Sequence, residues 1–364
     1  IAQKWHNYFT RYGFVCLIGH GIPDDIFSTV RQEATDFFAK SLDEKMKYNN
    51  GDYGNHIGGY VGLGVESIAK SQGMDADSTS ATTQQSERQE IDEKAPANDM
   101  LESFVFYPNS QYFVRPSVVA PADMTPPPVI TSSRTYFNRM KRLLQIMNQI
   151  TAIAMGLNKN YFHSFYTEQP LQSESDLNKD TDDEALMHLR ISHYPTMPKE
   201  VPNKRYGEHT DFLCYTILFA DPNDWTEDTY VTKEGNETKT TVVNRGGLEA
   251  WVRNSVGGDD TSGRYERVVI PQELLYSKTT GHPLIINVGD LLQRWSNDLY
   301  ISPMHKVTNP KTTVTTKPSS VLDGSVSTER IMHKPRMSMQ CFSGPRFAAM
   351  VDCLPLSKKL KACV

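Results

Sequence analysis

The chain comprises 364 residues, 38% hydrophobic and 22% charged, with a formal net charge of -5 from 38 basic and 43 acidic side chains. That balance lacks the basic excess that binding a phosphate backbone demands, so nucleic acid is not an expected partner. No stretch approaches the roughly 18 apolar residues of a membrane span, so no membrane partner of that kind is expected. The length suits one core with insertions better than two separate cores. Cys16, Cys214, Cys341, Cys353 and Cys363 form no C-x-x-C pair, and three of the five sit within apolar runs. Such an odd, scattered set reads as reduced and intracellular, most simply cytoplasmic. The opening residues IAQKWHNYFTRYGF are amphipathic rather than signal-like, and a targeting segment removed upstream stays open.

Residues 1 to 12 and 26 to 40 carry apolar side chains at helical spacing, and YGFVCLIGHGIP between them is an apolar strand stopped by Gly-Ile-Pro. From about 66 to 98 the chain turns polar and rich in Ser, Thr, Gln and Asp. It offers too little apolar surface to offset the entropy of ordering it, and is expected to be an inserted mobile loop. Tyr136, Met140, Leu143, Met147, Ile150, Ala154 and Leu157 recur at steps of three and four, which predicts one long helix ending at Gly156 or shortly beyond. Its methionines are expected to fill the core. After Asp183 come short β-like runs, LMHLRISHY, FLCYTILFA, GLEAWV, YERVVI, PLIINVGDLL, MHKVT and RMSMQCF, whose number and length indicate a sandwich or jelly roll. The polar segments 226 to 245, 254 to 263 and 311 to 330 are expected to be loop insertions. The chain thus divides into an N-terminal region, 1 to 182, packed on a core of residues 183 to 364.

His209-Thr210-Asp211 is the first pattern with chemistry in it. Residues two apart on a strand project from the same face, so both side chains can reach one ion. The pair arises readily by composition, and an ordinary surface salt bridge is the competing reading. Its context adds weight: GEHTDF is expected to open the apolar strand LCYTILF, and His305 follows the turn Ser296-Asn297-Asp298 in the run LYISPMHKV. Two imidazoles and one carboxylate on one side of an ion leave coordination positions open, which favours a ferrous oxygenase over a closed structural zinc site. Arg336-Met337-Ser338 shares the strand parity argument. A fixed guanidinium fork beside a hydroxyl is suited to clamp a carboxylate.

In order along the chain, YGFVCLIGHGIP is similar to a W-G-F-F-x-V-x-N-H-G-I-P signature and GGYVG to a G-Y-x-x segment. LRISHYP, GEHTDF, GLEAW, INVGDLLQRWSND, SPMHKV and PRMSMQCF follow. Together, insertions apart, these motifs resemble the isopenicillin N synthase-like branch of the Fe(II)- and 2-oxoglutarate-dependent dioxygenases over nearly the whole length. The resemblance implies an α+β fold, a double-stranded β-helix (a jelly-roll, cupin-like core) with flanking N-terminal helices. It implies that His209, Asp211 and His305 bind iron, that Arg336 and Ser338 hold the distal carboxylate of 2-oxoglutarate, and that Tyr194 hydrogen-bonds the same group. The asparagine of the family's N-Y-Y-P run is Ser192 here, which puts that residue's usual contact near the co-substrate in doubt. His20 is expected to pack or to make a backbone hydrogen bond, and His188, His193 and His333 to be ordinary residues. The intervals from Asp211 to His305 and from His305 to Arg336 exceed the family's usual ones, with the excess in the polar stretches, which are expected to cap the pocket.

The resemblance further implies Fe(II), 2-oxoglutarate and dioxygen as cofactor and co-substrates, and a small-molecule partner. The expected reaction is oxidation of a specialised metabolite through a ferryl intermediate, with release of succinate and carbon dioxide. Hydroxylation, desaturation and oxidative ring closure all stay open, and ring closure on an amino-acid derivative, as in algal kainoid synthesis, is one fit. No catalytic residue is expected beyond the metal site. Arg190, Phe212, Trp295 and Phe342 are candidates to line the substrate pocket. Arg190 has the parity of Ser192 and Tyr194, making it a candidate anchor for an acidic substrate. Two competing readings are an oxidase of this branch that needs no 2-oxoglutarate, and a non-catalytic binding module on the same fold.

Overall fold

The computed structural model describes residues 1–49, 58–66, 68, 99–106, 132–167, 185–195, 204–220, 227–234, 237–244, 247–254, 262–275, 281–308, 311–318 and 335–354. The insertion expected at 66 to 98 lies outside these residues apart from Glu66 and Ile68, as do His333 and Cys363.

Helix α1 (Ala2–Arg11) buries Trp5 and Phe9, one turn apart. Helix α2 (Asp24–Phe38) follows Pro23, carries Asp24 and Asp25 where the helix dipole favours anions, and buries Phe27, Val30, Ala34, Phe37 and Phe38. The short α3 (Leu42–Met46) begins with a capping box between Ser41 and Glu44. The long helix expected from the three- and four-residue steps is α4 (Ser133–Ala154). Its Tyr136, Met140 and Met147 have no exposed surface, and Gly156 follows at φ 70. Trp5 Nε1 and the Tyr215 hydroxyl both donate to Thr151 Oγ1, at 3.0 and 2.8 Å, joining α1, α4 and the sheet. Three short helices, α5 (His163–Tyr166), α6 (Gln272–Leu275) and α7 (Asp290–Trp295), complete the helices described.

The largest sheet holds β1 (Phe14–Leu17), β2 (Gly59–Val61), β3 (Glu102–Phe106), β4 (Ala185–Tyr194), β6 (Tyr215–Ala220), β11 (Leu284–Val288) and β14 (Arg336–Arg346), in the order β1-β11-β6-β14-β4-β3-β2. Every pairing in it is antiparallel. A second antiparallel sheet runs β10 (Gly263–Arg267), β9 (Gly247–Arg253), β12 (His305–Thr308), β5 (Lys204–His209). Gly13, at φ 68, opens β1 against Ile301, where an added Cβ would stand 2.2 Å from the carbonyl oxygen.

Alternation sorts the large sheet's residues between two environments. Leu189, Ile191, Tyr215, Ile217, Phe219, Leu284, Ile286, Met337, Met339 and Cys341 join α1, α2 and α4 in the main core. Their neighbours Arg190, Ser192, Tyr194, Thr216, Asn287, Arg336, Ser338 and Gln340 instead line a cavity shared with the smaller sheet. Leu218, Leu248, Ile270 and Ile285 form a separate apolar cluster. Cys214 and Cys341 are buried and free, as expected, whereas Cys16 is exposed although its run is apolar.

Several expectations are corrected. The segments 226 to 245 and 311 to 330 are not simply loops: β7 (Glu227–Glu234), β8 (Glu237–Asn244) and β13 (Lys311–Pro318) form a third antiparallel sheet, order β13-β8-β7. Their Thr and Val content supplies β-branched side chains that favour extended backbone even where polarity reads as loop. The run PLIINVGDLL is two elements, because the strand ends at Val288 and Asp290 begins α7. Gly289 between them lies so close to Leu213 that a Cβ would approach its carbonyl oxygen to 2.0 Å. In YERVVI the strand ends at Arg267, and in FLCYTILFA it begins only at Tyr215.

A buried ionic cluster ties α3 to the sheet. Glu102 Oε2 accepts from Lys45 Nζ at 2.7 Å and from the Tyr60 hydroxyl at 2.6 Å, while its Oε1 lies 2.8 Å from His193 Nδ1. Burial alone would raise the Glu102 carboxyl, but hydrogen bonds from His193, Lys45 and Tyr60 outweigh it and hold it below its ordinary value. Stability from this group is present above the unfolded carboxylate pKa and is lost as pH falls through the lower folded one. Glu102→Ala is expected to cost about 3 kcal/mol in denaturant unfolding, because Lys45 is left buried without its counter-charge. An unchanged unfolding midpoint would show that the cluster contributes nothing net.

Candidate active site

His209 is the last residue of β5, and Asp211 stands two residues on, in the connection to β6. The expectation that GEHTDF opens the next strand is therefore corrected: the pair closes one strand, and Asp211 owes its direction to the connection rather than to strand parity. That connection is held by backbone bonds, Asp290 N to Asp211 O at 2.7 Å and Leu291 N to Phe212 O at 3.1 Å. His305 opens β12 and is the register partner of His209. Their rings are 4.2 Å apart between centroids. His209 Nε2 and His305 Nε2 lie 3.6 and 3.8 Å from the same oxygen, Asp211 Oδ1. Among the described residues this is the one group of three such side chains arranged to hold a metal ion, and all three are buried.

The supporting hydrogen bonds select those three atoms. His209 Nδ1 donates to Gly207 O at 2.9 Å and His305 Nδ1 to Pro303 O at 3.0 Å, which leaves each Nε2 with a lone pair. Asp211 Oδ2 is occupied by the Thr216 hydroxyl at 2.5 Å and Asn287 Nδ2 at 2.7 Å, so Oδ1 is left for an ion. Burial pushes His209 down to about 3, helped by the neighbouring His305 and opposed by Asp211. Burial alone would raise Asp211, but His305, His209 and the two hydrogen bonds outweigh it and keep the carboxyl below its usual range. A neutral imidazole and an ionised carboxylate are the forms that ligate a divalent cation.

The cavity beside this cluster encloses about 520 Å³, counting its open mouth, and lies between the two sheets. Arg336, Ser338 and Tyr194 all line it. The Arg336 guanidinium carbon stands 4.9 Å from the centre of the buried Tyr194 ring. The four substrate candidates fare differently. Phe342 lines the cavity, stacked on His188 at 4.7 Å. Arg190 lines it too, but its guanidinium is paired with Glu66 and lies over the Tyr206 ring, so its charge is matched within the protein. Phe212 is 71% exposed and points away from the cavity, since the connection carrying Asp211 inward turns its neighbour outward. Trp295 belongs to the main core against Phe162 and Phe165, because α7 packs on the helices rather than on the site.

Two of the other histidines are engaged within the fold. His20 accepts from Ile22 N through Nδ1 at 3.1 Å and donates to His282 O through Nε2 at 2.6 Å, both backbone contacts. His193 belongs to the Glu102 cluster. Missed at sequence level were Thr216, Asn287, Tyr206, Gln340 and Glu66. A signal existed for the first two: each is a lone polar residue inside an apolar strand run, TILF and LIINV. Glu66 is placed by Asp99, which donates its backbone N–H to Glu66 O at 2.7 Å and accepts from Gly207 N at 2.9 Å. Nothing in the sequence links residues that distant.

Residues 1–110 match a family model described as the N-terminal region of non-haem dioxygenase in morphine synthesis. The chain is 24% identical over 351 residues to the 2-oxoglutarate-dependent dioxygenase frbA of Dothideomycetidae sp., covering 96% of this chain and 81% of that one. It is also 24% identical to the proline hydroxylase buaE of Petromyces alliaceus over 85% of this chain and 75% of that one. Among solved structures, a full-length Neurospora crassa protein in complex with alpha-KG and thymine superposes with a TM-score of 0.61 at 21% identity, covering 99% and 85% of the two chains. JOX2 in complex with 2OG, Fe and JA gives 0.55 at 18% identity, covering 97% and 73%. These likenesses together support an Fe(II)- and 2-oxoglutarate-dependent dioxygenase, an oxidoreductase that uses iron, 2-oxoglutarate and dioxygen.

Proposed function

We propose that His209, Asp211 and His305 hold the ferrous ion, that Arg336 and Ser338 clamp the distal carboxylate of 2-oxoglutarate with Tyr194 beside them, and that the protein oxidises a small specialised metabolite. The observation that carries this reading is the convergence of both Nε2 atoms on one free carboxylate oxygen, at the edge of a cavity that also contains the arginine and serine. The two facing sheets with polar inner residues support the finer description of the core as a double-stranded β-helix or jelly roll, built mainly from residues 183 to 364, to whose large sheet the N-terminal region 1 to 182 adds β1, β2 and β3. A cleft with apolar wall and a few convergent polar groups suits a small-molecule ligand. No helix among the described residues is long and apolar enough to cross a membrane.

The donor set fits the metal: imidazole and carboxylate on one side, with positions left open, is the arrangement of non-haem iron oxygenases. Bound iron and 2-oxoglutarate supply a two-electron oxidant from dioxygen, with succinate and carbon dioxide as the spent co-substrate. The chain's own residues contribute the rest. Thr216 and Asn287 occupy Asp211 Oδ2, which would leave Oδ1 to ligate the ion, and the Gly207 and Pro303 carbonyls hold the imidazole tautomers. Arg336 and Ser338 orient the co-substrate by its far end, and Phe342 and Leu218 give the substrate side apolar wall. Substrates of relatives, among them proline, lie in the range of small metabolites and amino-acid derivatives. The outcome, whether hydroxylation, desaturation or ring closure as in kainoid synthesis, is set by which substrate carbon faces the metal.

Succinate and oxidised product are expected in equal amounts, and oxygen consumption without succinate would remove 2-oxoglutarate from the reaction. His209→Ala should abolish ferrous binding in anaerobic titration together with oxidation; normal oxidation by that variant would move the metal elsewhere. Asn287→Leu removes one of the two donors on Asp211 Oδ2 and is expected to weaken ferrous affinity about 10- to 100-fold while leaving the fold intact. Arg336→Ala should raise the KM for 2-oxoglutarate about a hundredfold or more, because a carboxylate is left buried without its counter-charge. An unchanged KM places the clamp on other residues.

A further inference from the structure

We propose that Arg190, Ser192 and Gln340 form a one-way hydrogen-bond relay that fixes Ser338 as a donor toward 2-oxoglutarate, an inference that rests on the clamp reading above. The residues are adjacent on the cavity faces of β4 and β14, where Arg190 is the register partner of Gln340 and Ser192 of Ser338. Arg190 Nε lies 3.3 Å from Ser192 Oγ, Ser192 Oγ lies 3.3 Å from Gln340 Oε1, and Gln340 Nε2 lies 2.8 Å from Ser338 Oγ.

The direction of the chain follows from its first member. A guanidinium has donors only, so Ser192 must accept from it. The Ser192 proton is then free to go to Gln340, which turns the amide oxygen toward Ser192 and the amide nitrogen toward Ser338. Ser338 therefore receives an N–H and keeps its own proton for a third group. With the amide in the opposite orientation, Ser338 would spend that proton on Gln340 and could meet a carboxylate only with lone pairs. The choice between these two states decides whether the serine attracts or repels the co-substrate, and Arg190 favours the first by taking up a lone pair of Ser192 and leaving its proton to Gln340. Arg190 is itself anchored: its guanidinium pairs with Glu66 and lies 5.3 Å from the centre of the Tyr206 ring, so its Nε–H is held toward Ser192. Within low-dielectric surroundings each such bond polarises the next. Ser192, Gln340 and Arg190 are thus positioning residues, acting on co-substrate through Ser338.

The test is calorimetric titration of 2-oxoglutarate, and separately of pyruvate, into the manganese-loaded protein, which binds without turnover. Pyruvate keeps the keto-acid end and lacks the distal carboxylate. Ser192→Ala and Gln340→Met, each checked for an unchanged thermal unfolding midpoint, are expected to weaken 2-oxoglutarate about three- to tenfold and to leave pyruvate unaffected. Added to Ser338→Ala, either substitution is expected to cause no further loss. An equal loss for pyruvate, or a loss that persists in the Ser338→Ala background, overturns the relay. If Arg336→Ala and Ser338→Ala weaken 2-oxoglutarate while Ser192→Ala and Gln340→Met do not, the clamp stands and the relay falls. If Arg336→Ala and Ser338→Ala bind normally, both readings fall together.

Discussion

The structure depends on one constraint: a strand gives alternate side chains to opposite faces, and the large sheet has a different solvent on each. Toward the helices the environment is hydrocarbon, met by Leu189, Ile191, Ile217, Phe219, Ile286 and Met339. Toward the smaller sheet it is the cavity, met by the polar residues between them, Arg190, Ser192, Thr216, Asn287, Ser338 and Gln340. A slip of one residue in register would send arginines into the helical core and methionines into the cavity, at a cost of several kcal/mol for each charge left unpaired. The register that folds the protein is thus the register that assembles its site.

The polar face is tolerable in the interior because most of its polar groups have partners within the protein. Glu66 pairs with Arg190, and the aromatic rings of Tyr206 and Tyr194 lie beside Arg190 and Arg336. Asp211 has two donors on one oxygen and two imidazoles facing the other. Each of these groups would be costly alone, and together they leave a small number of lone pairs and protons directed at the cavity. Preorganisation of this kind matters for oxidation chemistry, since a loosely held metal or co-substrate exposes a reactive site to water.

Much of this was legible in the sequence, and the reasons differ by residue. His209, Asp211, His305, Arg336 and Ser338 stood out because their types suit metal and carboxylate binding and because their surrounding motifs keep a recognisable order. The long helix α4 was legible from its three- and four-residue repeat. The sheet formed by β7, β8 and β13 was not, because polarity and β-branching pointed in opposite directions in those segments, and strand pairing favoured the latter. Phe212 and Trp295 misled because being next to a motif in sequence says little about direction: one turns outward at a connection and the other sits on a helix facing the core.

By itself, the sequence determined the chemistry available: which side chains are capable of ligation, which strands alternate, and hence the reaction class. Only the tertiary structure decided how those groups are used. It matched the charge of Arg190 with Glu66, assigned one oxygen of Asp211 to Thr216 and Asn287, and set Gln340 between two serines. The physical reason is that these contacts join residues as far apart as 148 positions in the chain. Hydrogen-bond direction and charge compensation depend on distances of a few ångströms, which no linear spacing encodes.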